Sequence, residues 1–583
     1  MYIENINLPK DIKKLSVEQL SVLAEEVRTA LIRKLSEHGG HIGPNLGMVE
    51  TTIALHYVFN SPIDKIVFDV SHQSYVHKML TGRMAAFLDP AKYDDVTGYT
   101  NPDESEHDFF TIGHTSTSVS LAMGLAKGRD LTGGKENIIA VIGDGSLSGG
   151  EALEGLNNAA MLGSNMIIIV NDNDQSIAEN HGGLYKGLKE LRDTNGESPD
   201  NIFKAMGLEY YYLGDGHDVS ALIKLFTSVK DIDRAVVLHI HTIKGKGLKY
   251  AEENKEYWHA GGPFHIEDGS PKGPGRPVNE TVRESVLDLI EKRSDVVAIT
   301  AGTPSVIGFT EDYRKRAGKQ FVDVGIAEAH AVTSAAGMAA AGLRPVVAVY
   351  SSFLQKGYDQ ILHDVCIQNL PVLFAVDRAG LVGSDGETHQ GIFDYSYLTS
   401  IPNMSVAAPK NLWELRAMLD FAMDYKAPFA IRYPRGTAYR GLKEFMQPIA
   451  YGKGEIIYEE ENIALLAVGS MVSTGEHVRA KLKEEGVSCT LANARFVKPF
   501  DKELVDRLAK NHRLIVTMEE NVLQGGFGLP VTAYIHEHYP QVKVMNIALP
   551  DAYVEHGNVS VLRKGLGIDS DSIIQRLKAE GWL

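Results

Sequence analysis

Two short apolar runs, each ending in a cluster of Gly, Asp and Asn, constrain the fold of this chain more than any other feature. Ile138–Ile142 is followed directly by a Gly-Asp-Gly motif, and Met166–Val170 is followed directly by an Asn-Asp-Asn motif. Short apolar runs bounded by turn residues are typical of buried parallel strands. Leu153–Met161, between them, has a helical composition. The three segments therefore predict a βαβ unit within a doubly wound α/β domain.

The same alternation continues through the 583 residues of the chain, a length that corresponds to about three or four domains. We predict three consecutive α/β domains, over 1–268, 278–442 and 443–583, with a Gly- and Pro-rich linker at 269–277. Val17–Ser36 is predicted to be an amphipathic helix. The later predicted strands are Val296–Thr300, Val346–Tyr350, Val372–Val376, Phe429–Tyr433, Ile463–Val468, Cys489–Ala494 and Leu514–Met518.

The composition argues against several classes of function. Acidic residues outnumber basic ones by 75 to 58, and a net charge of -17 would repel a nucleic-acid backbone. No stretch reaches about 18 apolar residues without a charge, so we expect no association with a membrane. The only two cysteines, Cys366 and Cys489, lie in apolar segments and suggest buried thiols rather than a disulfide framework. These features favour a soluble protein of the reducing cytoplasm.

The spacing of the two polar motifs points to a metal and a diphosphate. Asp144 and Asn173 follow neighbouring strands, and open α/β sheets bind ligands at the carboxyl ends of their strands. Mg²⁺ takes hard oxygen ligands and shares them with phosphates. The glycines of the first motif would let the backbone approach a diphosphate, and a helix starting near Ser148 would offer free N–H groups. The alternative is a plain turn with a capping Asp. The pair resembles the diphosphate and Mg²⁺ motif of thiamine-diphosphate enzymes.

Glu328 is the candidate for the second feature that such a cofactor needs, a buried carboxylic acid beside its aminopyrimidine. It follows an apolar run in the second predicted domain, where burial would raise its pKa and favour a shared proton. The alternative is a Glu at a helix N-terminus that interacts with the helix dipole.

Six further segments carry a more specific resemblance. In the order of the chain they are GGHIGPNLGMVE (39–50), HQSYVHKMLTGR (72–83), IGHTSTS (112–118), YSSFLQKGYDQ (350–360), DRAGLVGSDGETHQG (377–391) and RYPRG (432–436). From about Leu8 to its end the chain resembles the 1-deoxy-D-xylulose-5-phosphate synthases, a family of transketolase-like thiamine-diphosphate enzymes.

The resemblance implies a role for each matching residue. Mg²⁺ would be held by Asp144, Asn173 and the backbone carbonyl of Gln175. The other cofactor-binding residues would be His72, Gly113, His114, Thr115, Gly145, Ser146, Glu328 and Phe353, with Asn173 contacting both metal and cofactor. The catalytic residues would be Glu328, His41, His72, His259, His389, Asp385 and Tyr350. The phosphate of the substrate would be bound by Arg378 and Arg435, since guanidinium groups form bidentate contacts with phosphate.

The implied fold and activity follow the family. The first two domains would bind thiamine diphosphate, and the third would resemble the transketolase C-terminal domain. The enzyme, a transferase and homodimer, would condense pyruvate with D-glyceraldehyde 3-phosphate, releasing CO₂ and giving 1-deoxy-D-xylulose 5-phosphate for isoprenoid, thiamine and pyridoxal synthesis. Three alternatives stay open: transketolase-like transfer of a two-carbon ketol unit, a paralogue with another aldehyde acceptor, and a non-catalytic paralogue.

The sequence departs from the family pattern at a few places. Ala329, Lys356 and Leu248 stand where family members usually have Gln, Arg and Tyr. The stretch between Asn180 and Phe203 is some tens of residues shorter than in the family. Gly182–Asn201 is polar and contains glycine, so we predict a mobile cover rather than a full core helix.

Overall fold

The computed structural model describes residues 1–273, 280–383, 385–436 and 438–583. The chain divides into two compact units, Met1–Arg276 with Gly325–Ala327, and Pro277–Val324 with Glu328–Leu583. Residues 274–277 of the predicted linker lie outside the described residues. The predicted domain boundaries stay predictions.

The first unit contains a five-stranded sheet in which every neighbouring pair is parallel. Its strands are β1 (Lys65–Phe68), β2 (Ile138–Gly143), β3 (Met166–Asp172), β4 (Glu209–Leu213) and β5 (Ala235–His241). They are arranged in the order β1-β2-β3-β5-β4. Because β2 and β3 are adjacent and parallel, the two polar motifs at their carboxyl ends lie side by side, as predicted.

Apolar side chains from the helices of this unit pack against both faces of the sheet. The helix Gly150–Ala159 connects β2 to β3 and confirms the predicted βαβ unit. The predicted helix over Val17–Ser36 is confirmed as Val17–His38. The other α-helices of the unit are Pro9–Ile12, Gly43–Gly47, Val49–Val58, Tyr75–Lys78, Ala85–Leu88, Ser118–Thr132, Gly183–Asp193, Ile202–Ala205, Val219–Val229 and Lys249–Glu253.

The second unit begins with a second parallel array. Its strands are β6 (Val296–Thr300), β7 (Phe321–Asp323), β8 (Arg344–Tyr350), β9 (Leu373–Asp377), β10 (Ser405–Ala407) and β11 (Phe429–Arg432). The order is β10-β11-β9-β8-β6-β7. The strands β8, β9 and β11 end side by side, so the residues that follow them share one edge of the sheet.

A third sheet follows in the same unit. Its strands are β12 (Glu455–Tyr458), β13 (Asn462–Ala467), β14 (Cys489–Asn493), β16 (His512–Val522) and β17 (Lys543–Leu549). They have the order β12-β14-β13-β16-β17, and only the pairing of β12 with β14 is antiparallel. The remaining strand, β15 (Phe496–Lys498), leaves this region and pairs antiparallel with β10 in the second sheet.

The helices of the second unit pack on both of its sheets, and one of the apolar clusters that they form contains residues of the second and third sheets together. Its α-helices are Glu280–Lys292, Glu311–Ala317, Glu328–Ala340, Ser351–Leu354, Tyr358–Gln360, Asp394–Thr399, Leu412–Asp424, Met471–Glu484, Lys502–Asn511, Gly528–His538, Val559–Gly565 and Ser570–Ala579. Both cysteines are buried and free, as predicted. Across the described part of the chain, no helix is long and apolar enough to cross a membrane.

The prediction that Gly182–Asn201 contains no core-packed helix is wrong, whereas its mobility and its position beside a cleft stay predictions. Gly183–Asp193 is a helix, and Tyr185, Leu188 and Leu191 on one of its faces are buried in the core of the first unit. The segment contains few apolar residues, but their spacing of three places them all on the same side of the helix. A low average hydrophobicity therefore concealed an amphipathic helix.

Candidate active site

The loops after β2 and β3 are joined around the carboxylate of Asp144. This carboxylate accepts hydrogen bonds from the backbone N–H of Gln175 (3.1 Å) and from the side-chain amide of Asn180 (2.8 Å). The side-chain oxygen of Asn173 is buried and forms no hydrogen bond within the described part of the chain. A buried carbonyl oxygen without a donor is costly unless another group binds it. The structure thus brings together the three residues that the sequence assigned to the metal.

The buried charged groups around Asp144 shift one another's pKa values. Burial, and then the nearby carboxylate of Asp172, raise the pKa of Asp144. Lys244 is also buried, and burial lowers its pKa to about 7 although Asp144 opposes the shift. Its ammonium group donates to the carbonyl of Ser176, in the loop that begins at Asn173. Two carboxylates and one amine with a lowered pKa therefore contact the backbone of the loop that begins at Asn173.

The backbone of the Gly-Asp-Gly motif is closely packed. A Cβ at Gly145 would lie 2.6 Å from the Cβ of Ser176, so a larger residue would push the two loops apart. The hydroxyl of Ser116 donates to the carbonyl of Ser146 (2.8 Å). Asp69 in turn accepts from the backbone N–H of Ser116 (2.8 Å). These bonds hold the loop of Gly113, His114 and Thr115 beside the first motif, as the assignment of both to one cofactor requires.

Three imidazoles that the sequence assigned to the catalytic group form a cluster in the same unit. The ring centroids of His41 and His72 are 5.1 Å apart, those of His72 and His259 are 5.2 Å apart, and those of His41 and His259 are 6.0 Å apart. The side-chain amide of Asn45 donates to the backbone carbonyls of both His41 and His72, at 2.7 Å each. One residue therefore fixes the relative positions of two of the imidazoles.

Glu328 in the second unit is the first residue of the helix Glu328–Ala340. Only 6% of it is exposed, and burial raises its pKa although the amine of Lys356, 3.9 Å away, opposes the shift. An exposed Glu that merely interacted with the helix dipole would have a lowered pKa. Burial, rather than the helix terminus, therefore dominates the pKa of Glu328.

Arg378, Arg435 and Asp385 form a second cluster in this unit. Arg435 donates to the carboxylate of Asp385 (3.3 Å), and a guanidinium nitrogen of Arg378 is 3.9 Å from the same carboxylate. The guanidinium carbon of Arg378 lies 3.8 Å from the ring centroid of Tyr350. Two cations thus flank one carboxylate and one aromatic face at the shared edge of β8, β9 and β11.

Phe353 connects this cluster to His389. Its ring centroid is 5.3 Å from those of Tyr350 and His389. His389 is buried, and its Nδ1 is 2.9 Å from the hydroxyl of Thr388. All the residues that the sequence assigned to the second unit except Glu328 are therefore linked by these contacts.

Comparison with known proteins identifies the family. A family model described as 1-deoxy-D-xylulose-5-phosphate synthase matches residues 3–198 and 193–242. The transketolase pyrimidine-binding domain model matches 277–440, and the transketolase C-terminal domain model matches 452–573. A 1-deoxy-D-xylulose-5-phosphate synthase of Lachnoclostridium phytofermentans is 46% identical, over 99% of this chain and 98% of its own length. The chain belongs to the 1-deoxy-D-xylulose-5-phosphate synthase family.

Two further synthases are similar over nearly the whole chain. The synthase of Clostridium tetani is 42% identical over 97% of each chain, and that of Carboxydothermus hydrogenoformans is 41% identical over 99% of this chain and 98% of its own length. Among solved structures, a transketolase from Campylobacter jejuni is 17% identical and covers 97% of this chain and all of its own, with a TM-score of 0.46.

The departures from the family pattern have structural counterparts. Lys356 contacts the carboxylate of Glu328 at 3.9 Å. Leu248 is 5% exposed and belongs to an apolar core cluster of the first unit, so it replaces a hydroxyl with packing. Ala329 is half-buried beside Glu328 in the same helix. The family model matches in two pieces that overlap at 193–198, where the helix Gly183–Asp193 ends.

The sequence analysis missed several residues of the site. Lys244 lies in a Gly-containing loop after β5, a position at the carboxyl end of the sheet that could have identified it. Lys255 donates to the backbone carbonyl of Asn173 (3.3 Å). Asn180 contacts Asp144 and Arg192 contacts Asp172. Asn180 lies just before the segment that was predicted to be mobile and Arg192 lies within it, so no local signal marked them.

Proposed function

We propose that the protein condenses pyruvate with D-glyceraldehyde 3-phosphate to give 1-deoxy-D-xylulose 5-phosphate and CO₂, with thiamine diphosphate and Mg²⁺ as cofactors. Relatives with this name match the chain over nearly its whole length. The structural observation that carries the proposal is the buried, unsatisfied oxygen of Asn173 in a loop that is hydrogen-bonded to Asp144.

The donor set fits Mg²⁺ better than a transition metal. Asp144 supplies a carboxylate, Asn173 an amide oxygen and Gln175 a backbone carbonyl, which are hard oxygen ligands. No group of three or more His, Cys, Asp or Glu side chains within the described residues could hold a metal ion. A divalent cation would also favour the ionised form of Asp144, and so offset the burial that raises its pKa.

The residues of the first unit would then bind the metal and the cofactor and orient them. Asp144, Asn173 and Gln175 would hold the metal with the diphosphate, and Gly145 would keep the two loops of the site close together because a Cβ there would meet Ser176. When bound, thiamine diphosphate supplies the nucleophilic carbon and the electron sink for decarboxylation. His41, His72 and His259 would accept and donate protons at their imidazole nitrogens, since imidazoles exchange protons near neutral pH.

The residues of the second unit would supply a proton and bind the acceptor. Glu328 would hold a proton at its carboxyl group, as its raised pKa favours, and share it with the aminopyrimidine. Phe353 would offer an aromatic face to that ring. Arg378 and Arg435 would bind the phosphate of the aldehyde through charge-assisted hydrogen bonds.

The remaining acceptor-site residues would position the two guanidinium groups and donate hydrogen bonds to the aldehyde. Asp385 would keep the two guanidinium groups in place before the substrate binds, because it lies within 3.9 Å of both. His389 and Tyr350 would lie beside the reacting aldehyde, where an imidazole and a phenol can donate hydrogen bonds to its oxygen.

The decisive experiment is a coupled assay with [1-¹⁴C]pyruvate and three acceptors: D-glyceraldehyde 3-phosphate, unphosphorylated glyceraldehyde and ribose 5-phosphate. We expect labelled CO₂ to be released together with a five-carbon product from the first aldehyde. A parallel reaction replaces pyruvate with a ketose phosphate as the donor. Transfer of a two-carbon unit from that donor, together with no release of CO₂ from pyruvate, would support the transketolase-like alternative and contradict the proposal.

We also propose a homodimer in the cytoplasm. The homodimer is what the family resemblance implies, and sedimentation of the purified protein with its cofactors will test it. Two buried, free cysteines fit a reducing compartment.

A further inference from the structure

The helix Gly183–Asp193 contacts both polar motifs of the metal site. Near its start, the hydroxyl of Tyr185 donates to the backbone carbonyl of Gly145 (3.2 Å), in the first motif. Near its end, Arg192 reaches the second motif. Asn180, three residues before the helix, donates to Asp144 (2.8 Å). One short segment thus contacts the loops on both sides of the proposed metal.

Arg192 binds the two carboxylates that flank Asn173. One guanidinium nitrogen donates to Asp172 (2.6 Å) and the other to Asp174 (2.8 Å). The side chain of Asp172 is fully buried, whereas 59% of that of Asp174 is exposed. The buried pair is therefore the stronger of the two, because its attraction is less screened by water. The planar fork of Arg suits this bridge, since its two nitrogens point at two separate acceptors.

The backbone between the two carboxylates that Arg192 binds includes a residue in the left-handed region. Asp174 has a φ of 62°, in the left-handed region that residues with a Cβ rarely occupy. Asp172 also accepts from Nε2 of His239 (2.8 Å). Arg192 and His239 therefore both bind Asp172, on the N-terminal side of Asn173. Of these two side chains, Arg192 also binds Asp174, on the C-terminal side.

The helix is firmly held by the core. Tyr185, Leu188 and Leu191 are each at most 8% exposed and pack in one apolar cluster with residues of β2 and β3. Leu191 directly precedes Arg192, so the position of the guanidinium is set by a buried neighbour. The buried helix therefore holds Arg192 in place, and the bonds of Arg192 to Asp172 and Asp174 hold the loop that contains Asn173.

We propose that Arg192 is a positioning residue for the metal site, and that the helix Gly183–Asp193 braces the two polar motifs rather than covering a cleft. The two pieces of the family-model match overlap at 193–198, directly after Arg192, and the helix itself lies within the first matched piece. The inference rests on the proposed function, because the ligand whose site is braced is the Mg²⁺ of thiamine diphosphate.

The test measures the metal itself. Mn²⁺, a spectroscopic substitute for Mg²⁺, is titrated into the purified full-length protein with thiamine diphosphate, and free Mn²⁺ is followed by electron paramagnetic resonance. Arg192→Ala should raise the apparent Kd for Mn²⁺ about ten- to a hundred-fold, as losses of groups that orient metal ligands do. Arg192→Lys, which keeps the charge but can bridge only one carboxylate at a time, should lie between wild type and Arg192→Ala.

Two further variants separate the brace from a general effect on folding. Lys189→Ala removes from the same helix a cation that pairs with Asp193 at the surface, and it should leave the Kd unchanged. Tyr185→Phe keeps the buried ring but removes the hydrogen bond to Gly145, and should raise the Kd on the order of fivefold. This variant keeps the test decisive if Arg192→Ala does not fold.

The kinetic readout distinguishes positioning from a merely structural role. In Arg192→Ala, saturating Mg²⁺ should restore most of kcat, and KM for pyruvate should stay at the wild-type value. Wild-type Mn²⁺ affinity in both Arg192→Ala and Tyr185→Phe would overturn the brace. A loss of activity that no concentration of Mg²⁺ restores would overturn it as well. If wild type itself binds no Mn²⁺ with thiamine diphosphate, the proposed function fails instead.

Discussion

Arg435→Ala should impair the use of a phosphorylated acceptor and little else. Arg435 lies in the acceptor cluster, where it donates to Asp385 (3.3 Å) and to the backbone carbonyl of Val382 (3.2 Å). Its side chain is 39% exposed. An ion pair so accessible to water contributes at most about 1 kcal/mol to stability, so the variant should fold normally.

The magnitude follows from the contacts that a phosphate would make. A hydrogen bond to a charged group contributes about 1.5 to 3 kcal/mol, and every ~1.4 kcal/mol is a factor of ten. Arg378 keeps its place on the ring of Tyr350 and, under the proposed function, would still bind the phosphate. The variant should therefore lose roughly ten- to a hundred-fold in kcat/KM for D-glyceraldehyde 3-phosphate. Because pyruvate and unphosphorylated glyceraldehyde present no phosphate, their kcat/KM values should stay within about twofold of wild type.

The assay compares both aldehydes at several pyruvate concentrations. Arg440→Ala is the matched control, since it removes an equal charge from an exposed position five residues away and should leave both aldehydes unaffected. Equal losses with the two aldehydes would refute the reasoning, because Arg435 would then support the site without contacting a phosphate. A loss of similar size in Arg440→Ala would show that the effect comes from the change in net charge rather than from a contact between Arg435 and the phosphate.

Three further predictions concern groups whose pKa the fold shifts. Glu328→Gln should abolish proton exchange at the thiazolium C2 of the bound cofactor while the melting temperature stays unchanged; exchange at the wild-type rate would remove Glu328 from the mechanism. Asp144→Asn should weaken Mg²⁺-dependent binding of thiamine diphosphate by at least about a hundredfold, more than the loss of a supporting group, and an unchanged Kd by calorimetry would place the metal elsewhere. Burial lowers the pKa of both His56 and His77, so the stability that they contribute is present above about pH 6.5 and is lost as the pH falls. Between pH 7 and 5, the unfolding free energy of wild type should fall by up to about 1.4 kcal/mol more per pH unit than that of His56→Gln. Urea denaturation measures this free energy, and an equal dependence on pH in the two proteins would contradict the prediction.

The sequence predicted most of the elements because their apolar runs are long and buried. The strand over Val296–Thr300 has the predicted bounds, and β2 and β3 differ from prediction only by a residue or two at their carboxyl ends. Parallel strands buried on both faces produce continuous apolar runs that a single sequence reveals. β15 is three residues long and was not predicted, since its position depends on a partner, β10, that is distant in sequence.

Within the candidate site, prediction succeeded where a residue follows a recognisable strand and failed where a contact depends on tertiary packing. Asp144 and Asn173 were placed by their strands. Arg192 was missed because its helix contains only a few apolar residues, whose common side becomes visible only when they are set on a helix. Lys244 was missed for a different reason: a Lys in a Gly-containing loop is usually exposed, and only the fold buries it.

The strand β15 limits how this polypeptide can be divided. It lies on the C-terminal side of the predicted boundary at 442, yet its pairing with β10 places it at one edge of the second sheet. A gene fragment that ended at this boundary would encode a sheet with β10 as an uncovered edge, which is a template for aggregation. Recombination or domain exchange with a relative should therefore move residues 280–583 as one block, because a crossover near 442 would have to match the edge of one parent's sheet to the strand of the other.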